Sequence, residues 1–455
     1  MRSIKNSGSR AGSRLSRTAF RAAPALALVA VCTLGIAAPA NAVPASGSAQ
    51  LTASVHTGKG PSKPGGGTTT SAVKASLFAT NSDAKAVPSG VGTQSTFHSG
   101  IHDLAVADGK VFAGYGDYNI NTGPVSLNSY SIATGAEKHE VTGMPAEEIH
   151  TLRVWDGKVY APNMDPRVSW TSPANYGLYD SATHAGNYVA NTPFVHVFDS
   201  ADLGGELFLA GSIQNPDKAE YGPTNTIAAI KKSVDGGATW TIERTAADDP
   251  MVLATYPGDG EYARYYWMSV VGGKLYTRAS TMSATGAASL AFQYPGKDGV
   301  QHTAYNNTGL DVYTPGSGWS TVDPGPVIAT LPHPYHADAV GSKIVFSKST
   351  LRGDVISVNG SAGLAAFDTT TGNYTTISGP GLSAVLDTYQ DGSTTYMLAN
   401  SPAAPAVYSS TDGSTWTKRA DVSGITGNAE SIAVSGSTVF IGTGAAAIYK
   451  ATLPN

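Results

Sequence analysis

Apolar and polar positions alternate along most of this chain in short runs that come in pairs. His102-Asp103-Leu104-Ala105-Val106, a turn at Asp108-Gly109, and Lys110-Val111-Phe112-Ala113-Gly114 read together as a β-hairpin. The pattern returns at residues 150–154 with 158–161, at 336–340 with 343–346, and at 430–434 with 438–441. Looser copies lie within 194–210, 266–276 and 384–398, which makes seven inner hairpins. Turns such as Asp156-Gly157, Gly272-Gly273 and Asp391-Gly392 suit the positive φ angles of tight hairpins. Behind most hairpins a second strand pair follows, as at 127–132, 365–368 and 406–409. Four antiparallel strands per unit, repeated around an axis, bury both faces of every sheet and shorten the exposed edges. The prediction is therefore an all-β fold, a seven-bladed β-propeller of four-stranded antiparallel blades, with roughly 54 residues per unit against a minimal blade of about 40 to 45. The last unit has room for only three strands, and residues 75–81 form an orphan strand before the first hairpin. That orphan is expected to supply the missing outer strand and latch the ring.

The alternation stops short of the amino terminus. Arg2, Lys5, Arg10, Arg14, Arg17 and Arg21 precede an apolar run from 22 to 38 and the sequence Pro39-Ala40-Asn41-Ala42. These are the n-region, h-region and A-x-A site of a secretion signal at 1–42, expected to be cut after Ala42 on the general secretory route. Residues 43–72 are mostly Ser, Thr, Gly, Pro and Ala and read as a disordered leader, which leaves 73–455 as the propeller domain. No other stretch is long and apolar enough to span a bilayer. The signal holds the only cysteine, Cys32, so the exported domain is expected to stand without disulfides, as its size allows. It also takes six of the 29 Lys and Arg and none of the 33 Asp and Glu, leaving a net charge of −10. An acidic chain without a basic run argues against a nucleic-acid partner. An extracellular glycan or cell-surface polymer is the expected partner, and the chain is expected to be a monomer.

Ser233-Val234-Asp235-Gly236-Gly237-Ala238-Thr239-Trp240 fits S-x-D-x-G-x-T-W, and Ser410-Thr411-Asp412-Gly413-Ser414-Thr415-Trp416 keeps the same order one residue shorter. This motif resembles the Asp-box (BNR repeat) of secreted propellers in the sialidase-like superfamily. The resemblance implies a turn between the third and fourth strands of a blade, with Asp bonded back to its own loop and Trp plugging the space between blades. It implies nothing about chemistry. A sialidase would also want an Arg-Ile-Pro segment, which this chain lacks.

Counting back from the matched position in each inner strand gives a column of His102, His150, Tyr266, His336 and Glu430, with Ala384 in the sixth unit and His196 in the third. Symmetry would place these residues on one rim of the central channel. Two mechanisms would use them. In the first, His102, His150, His336 and Tyr266 exchange protons while Arg264 neutralises a uronate carboxylate, giving β-elimination of an acidic polysaccharide. In the second, His196, His336 and Glu430 hold a divalent metal ion that polarises substrate. Asp117, Asn119, Arg153, Arg167, Trp170 and Arg278 are candidate substrate contacts. Two insertions, 168–193 with its aromatic residues and 282–311, are expected to wall a groove. Glycosidase carboxylates would come from Asp103, Asp117, Asp165 and Asp338. The set bears a general resemblance to propeller polysaccharide lyases, which implies a carbohydrate-active enzyme, lyase or hydrolase. The alternative is a non-catalytic glycan- or surface-binding module whose histidines form a hydrogen-bonded plug in the channel.

Overall fold

The structure is a computed structural model that describes residues 71–86, 100–117, 123–166, 174–214, 226–245, 263–281, 291–295, 301–305, 310–322, 334–349, 357–358, 361–362 and 365–454. Asn119, Arg167, Trp170, the expected secretion signal and nearly all of the expected leader lie outside the described residues.

Seven antiparallel sheets follow one another around a ring, and each inner strand packs against the next. Blade 1 is Asp103–Ala107, Lys110–Gly114, Val125–Ser131 and Glu137–Met144. In blade 2 the inner strand is broken into Ala146–Ile149 and Arg153–Trp155, both paired with Lys158–Pro166, followed by Ala174–Asp180 and Ala185–Phe194. Blade 3 is His196–Leu203, Glu206–Gln214, Thr226–Ser233 and Thr241–Thr245. Blade 4 is Ala263–Val271, Lys274–Thr281, Leu310–Thr314 and Gly318–Val322, with an added hairpin, Ala291–Pro295 and Gln301–Tyr305. Blade 5 is Pro334–Val340, Lys343–Ser349, Ala365–Asp368 and Asn373–Thr376. Blade 6 is Val385–Asp391, Thr394–Ser401, Ala404–Ser410 and Thr417–Ser423. Blade 7 takes Ala429–Ser435, Thr438–Thr443 and Ala447–Thr452 from the carboxyl end and Ser76–Thr80 from the amino end.

The latch is therefore the expected one, but it is longer than alternation suggested. Ala72–Lys74 adds a fifth strand to blade 6, parallel to Thr417–Ser423. The short helix Ser82–Ala86 then turns onto blade 1, capped by Asn81 Oδ1, which accepts from the Ala84 amide at 2.8 Å. Asp83 accepts from the Tyr115 hydroxyl at 3.1 Å and the Asn128 amide at 3.2 Å. One run of amino-terminal chain thus touches blades 6, 7 and 1, the three that meet at the seam.

The hairpin turns behave as their chemistry requires. Asp108-Gly109 and Asp156-Gly157 have both residues at positive φ, which twists the pair in the sense the flanking strands need. Carboxylates complete the inner strands, whose channel side has no further strand to bond. Asp103 accepts from the Leu152 amide at 2.7 Å, Asp199 from the Met268 amide at 2.8 Å and Asp387 from the Ile432 amide at 2.9 Å. Each of these bonds crosses from one blade to the next and satisfies a backbone donor that the ladder leaves over.

One sequence expectation is overturned. Residues 174–193 do not wall a groove but form the third and fourth strands of blade 2, with Tyr176 and Tyr179 buried against blades 3 and 1. Their aromatic rings fill the core because the half-buried faces of blade strands need large apolar side chains.

Candidate functional site

Three polar groupings are assembled on the inner strands, each from several blades. The first joins blades 7, 1 and 2. Nε2 of His102 donates to the Gly116 carbonyl at 2.7 Å and lies 3.7 Å from Glu148. Nδ1 of the same ring lies 3.5 Å from Glu430. Glu148 also receives Nδ1 of His150 in a short bond, and the two imidazole rings stand 5.8 Å apart. Both histidines are buried, whereas the Glu430 side chain is 24% exposed and so marks the open side of the group.

Two glycines give this group its room. A Cβ on Gly100 would lie 2.4 Å from Glu430, and one on Gly116 would lie 2.3 Å from the Glu147 carbonyl, at a φ of +126 that side chains rarely adopt. Asp117 follows Gly116, fully buried, with its amide donating to the Glu147 carbonyl at 3.3 Å.

The second grouping spans blades 2 to 4. His196 meets the Ser212 hydroxyl through Nδ1 at 2.6 Å and Asp165 through Nε2, and its ring stacks on Phe198 at 5.6 Å. Burial lowers the His196 pKa against the pull of Asp165, and the charge of Arg264 adds to the lowering. Tyr266, proposed as a proton-exchanging group, packs its ring on Phe198 at 4.5 Å inside an apolar cluster with Trp267 and Phe346. Arg278 is buried, close enough to Tyr374 to oppose the rise that burial imposes on that phenol, which reaches about 12.

The third grouping fills the channel itself. Arg153 binds Asp199 with Nε at 2.8 Å and Nη2 at 3.0 Å, and reaches across to Asp338 with Nη1 at 2.6 Å. Burial disfavours its charge, yet the two carboxylates raise its pKa. Burial likewise works to raise the Asp338 pKa, but His336 and Arg153 hold that carboxyl well below the usual range. Asp338 also accepts from the Thr388 hydroxyl at 2.7 Å. His336 reaches Asp387 through Nδ1 at 3.2 Å and Asp338 through Nε2 at 3.3 Å. A cavity of about 370 Å³ opens alongside, lined among others by Asp103, Arg153, Asp202, His336, Asp338 and Gln390.

The structure therefore sorts the sequence candidates. His102, His150 and Glu430 come together; His196, Arg264 and Tyr266 form a second set; His336 and Arg153 belong to the channel. Arg153, read from sequence as a substrate contact, is taken up by two aspartates. His196, His336 and Glu430 each hold different partners, and among the described residues the group with metal-ligand spacing is Asp103, His336 and Asp387. Sequence reading missed Glu148, Asp199 and Asp387. Glu148 stands two residues before a column histidine, a Glu-x-His spacing that pointed to it.

The two motif loops sit between third and fourth strands, in blades 3 and 6. Asp235 accepts from the Thr239 amide at 2.9 Å and its hydroxyl at 2.6 Å, which lowers its pKa to about 2. Asp412 accepts from the Ser414 and Thr415 amides at 2.7 and 2.8 Å. Trp240 packs edge-on to Tyr176 of blade 2, and Trp416 is buried between blades 5 and 6. Both loops join outer strands of their blades, whereas the three polar groupings stand on or beside the inner strands.

No protein-family model matches the chain, and no curated protein matches it. Among solved structures it is similar to virginiamycin B lyase from Staphylococcus aureus, with 13% identity, a TM-score of 0.46, and coverage of 80% of this chain and 97% of that one. It is also similar to the Pan2 WD40 domain of Neurospora crassa, with 10% identity, a TM-score of 0.46, and coverage of 85% and 95%. The computationally designed Ika8 protein gives 9% identity, a TM-score of 0.42, and coverage of 83% and 99%. The seven-bladed assignment rests on this chain's own strand pairing.

Proposed function

We propose that the chain is a secreted enzyme that cleaves a uronate-containing polysaccharide by β-elimination at the rim of blades 7, 1 and 2. The observation that carries this reading is the Glu148–His150 pair beside His102 and Glu430, four proton-exchanging groups drawn from three blades. A carboxylate on Nδ1 of His150 fixes the tautomer whose Nε2 is basic, the arrangement a general base needs. His150 takes the proton α to the uronate carboxylate; the freed electron pair forms the ring double bond as the glycosidic C–O bond breaks. The proton held between Nδ1 of His102 and Glu430 goes to the leaving oxygen, while Nε2–H of His102 stays on the Gly116 carbonyl.

Hydrolysis by paired carboxylates fits less well. Glu148 and Glu430 lie on opposite sides of the His102 ring, so an imidazole occupies the gap where a sugar and water would sit. A binding module is the second reading, favoured by the burial of all four column histidines. The purified protein, offered a panel of acidic polysaccharides, is expected to generate ultraviolet absorbance from unsaturated ends, and His150→Gln and Glu148→Gln to abolish it. Retention of polymer without turnover identifies the binding module, and reducing ends without absorbance identify a hydrolase.

A further inference from the structure

We infer that the channel holds a divalent cation between Asp103, His336 and Asp387, a site separate from the rim chemistry and independent of it. One ligand atom from each residue lies within 4.8 Å of the others, and the three come from blades 1, 5 and 6. All three are buried, and Asp103 and His336 face the channel cavity, which gives an ion a way in.

Charge argues for the occupant. Asp103 takes the Leu104 amide at 2.9 Å on one oxygen and the Leu152 amide at 2.7 Å on the other, and Asp387 takes the Ile432 amide at 2.9 Å. Amide donors stabilise negative charge on both carboxylates, and each oxygen keeps a second lone pair for a ligand bond. Two carboxylates this close in a buried setting repel strongly unless a cation stands between them; without an ion His336 serves, its Nδ1 3.2 Å from Asp387, and a metal would take the place of that proton. Arg153 does not fill that role, because its single charge is divided between Asp199 and Asp338. Two carboxylate oxygens and one imidazole nitrogen form a donor set for a hard or borderline ion such as Mn²⁺ or Zn²⁺, with water completing the shell from the cavity. An ion there would tie the first blade to the fifth and sixth across the channel.

The test strips the purified protein with chelator and titrates it with Mn²⁺ and with Zn²⁺, reading stoichiometry by calorimetry and the Mn²⁺ environment by electron paramagnetic resonance. Expected are one ion per chain, a rise in Tm and nitrogen coupling from one imidazole. Asp387→Asn and His336→Gln should each weaken binding by more than about 100-fold, while Glu430→Gln leaves the stoichiometry at one. If both channel variants fail to fold, the nitrogen coupling and stoichiometry of the unaltered chain decide. Absence of saturable binding by either ion, or binding lost with Glu430→Gln and kept with Asp387→Asn, overturns the proposal.

Discussion

Replacing Arg153 by Met tests whether the channel is held by charge. The side chain is buried, and its guanidinium bonds Asp199 twice and Asp338 once, joining blade 2 to blades 3 and 5. Met keeps most of the apolar stem but leaves two buried carboxylates without their cation, a loss of about 3–5 kcal/mol. With a urea m-value of about 3 kcal/mol/M, the unfolding midpoint should fall by roughly 1 M or more. The loss should also depend on pH. Asp338 is held below its unfolded value of 3.8, so its contribution is present above that value and fades as pH falls through the lower folded one. Without Arg153 that carboxyl loses part of its stabilisation, and the gap between parent and variant should narrow from pH 7 to pH 3. Urea titrations followed by tryptophan fluorescence at both pH values make the comparison. A gap under about 1 kcal/mol at pH 7, or one of equal size at pH 3, refutes the account.

Three further outcomes are expected. Trp416→Ala should cost about 3–5 kcal/mol in urea titration, and Trp240→Ala less, because Trp416 is 1% exposed whereas Trp240 is only partly buried. Gly116→Ala should cost about 1–3 kcal/mol and eliminate polysaccharide cleavage, since its Cβ meets the backbone of Glu147 and Glu148; a crystal structure of the variant would show Glu148 displaced from His102. His196 has a folded pKa below its unfolded value of 6.5, so the unfolded chain binds the extra proton and stability declines as pH drops below 6.5. Thermal melts of His196→Asn should lack part of that decline between about pH 6.5 and 5, compared with the parent.

The blades were legible because their turns and strands carry local signals. Asp108-Gly109 and Asp156-Gly157 announce a hairpin wherever they stand, and the Asp and Trp of the two motif loops act within one turn. The channel was harder to read, because alternation counts residues two by two. The inner hairpins of blades 3, 4, 6 and 7 contain register shifts near their starts, at 197/199, 265/268, 385/387 and 429/431. Past such a bulge every later side chain changes face. Counting back therefore stopped at Ala384 and passed over Asp387, and it assigned Tyr266 to a rim although its ring lies in the core. Arg153 was seen, but no sequence pattern links it to Asp199 and Asp338, which approach only when the ring closes.

That closure has a kinetic consequence. Ser76 pairs with Lys450 and Thr80 with Ala447, so a strand from the start of the ring finds its partner in the last strand of blade 7. Until residues 421–423 and 447–450 have been made, Ala72–Lys74 and Ser76–Thr80 lack the strands they pair with, and open edges are where unfinished sheets aggregate or are cut. Pulling on the amino terminus should accordingly unzip the molecule at one place, peeling blade 6 first and blade 7 next, while the five remaining sheets hold.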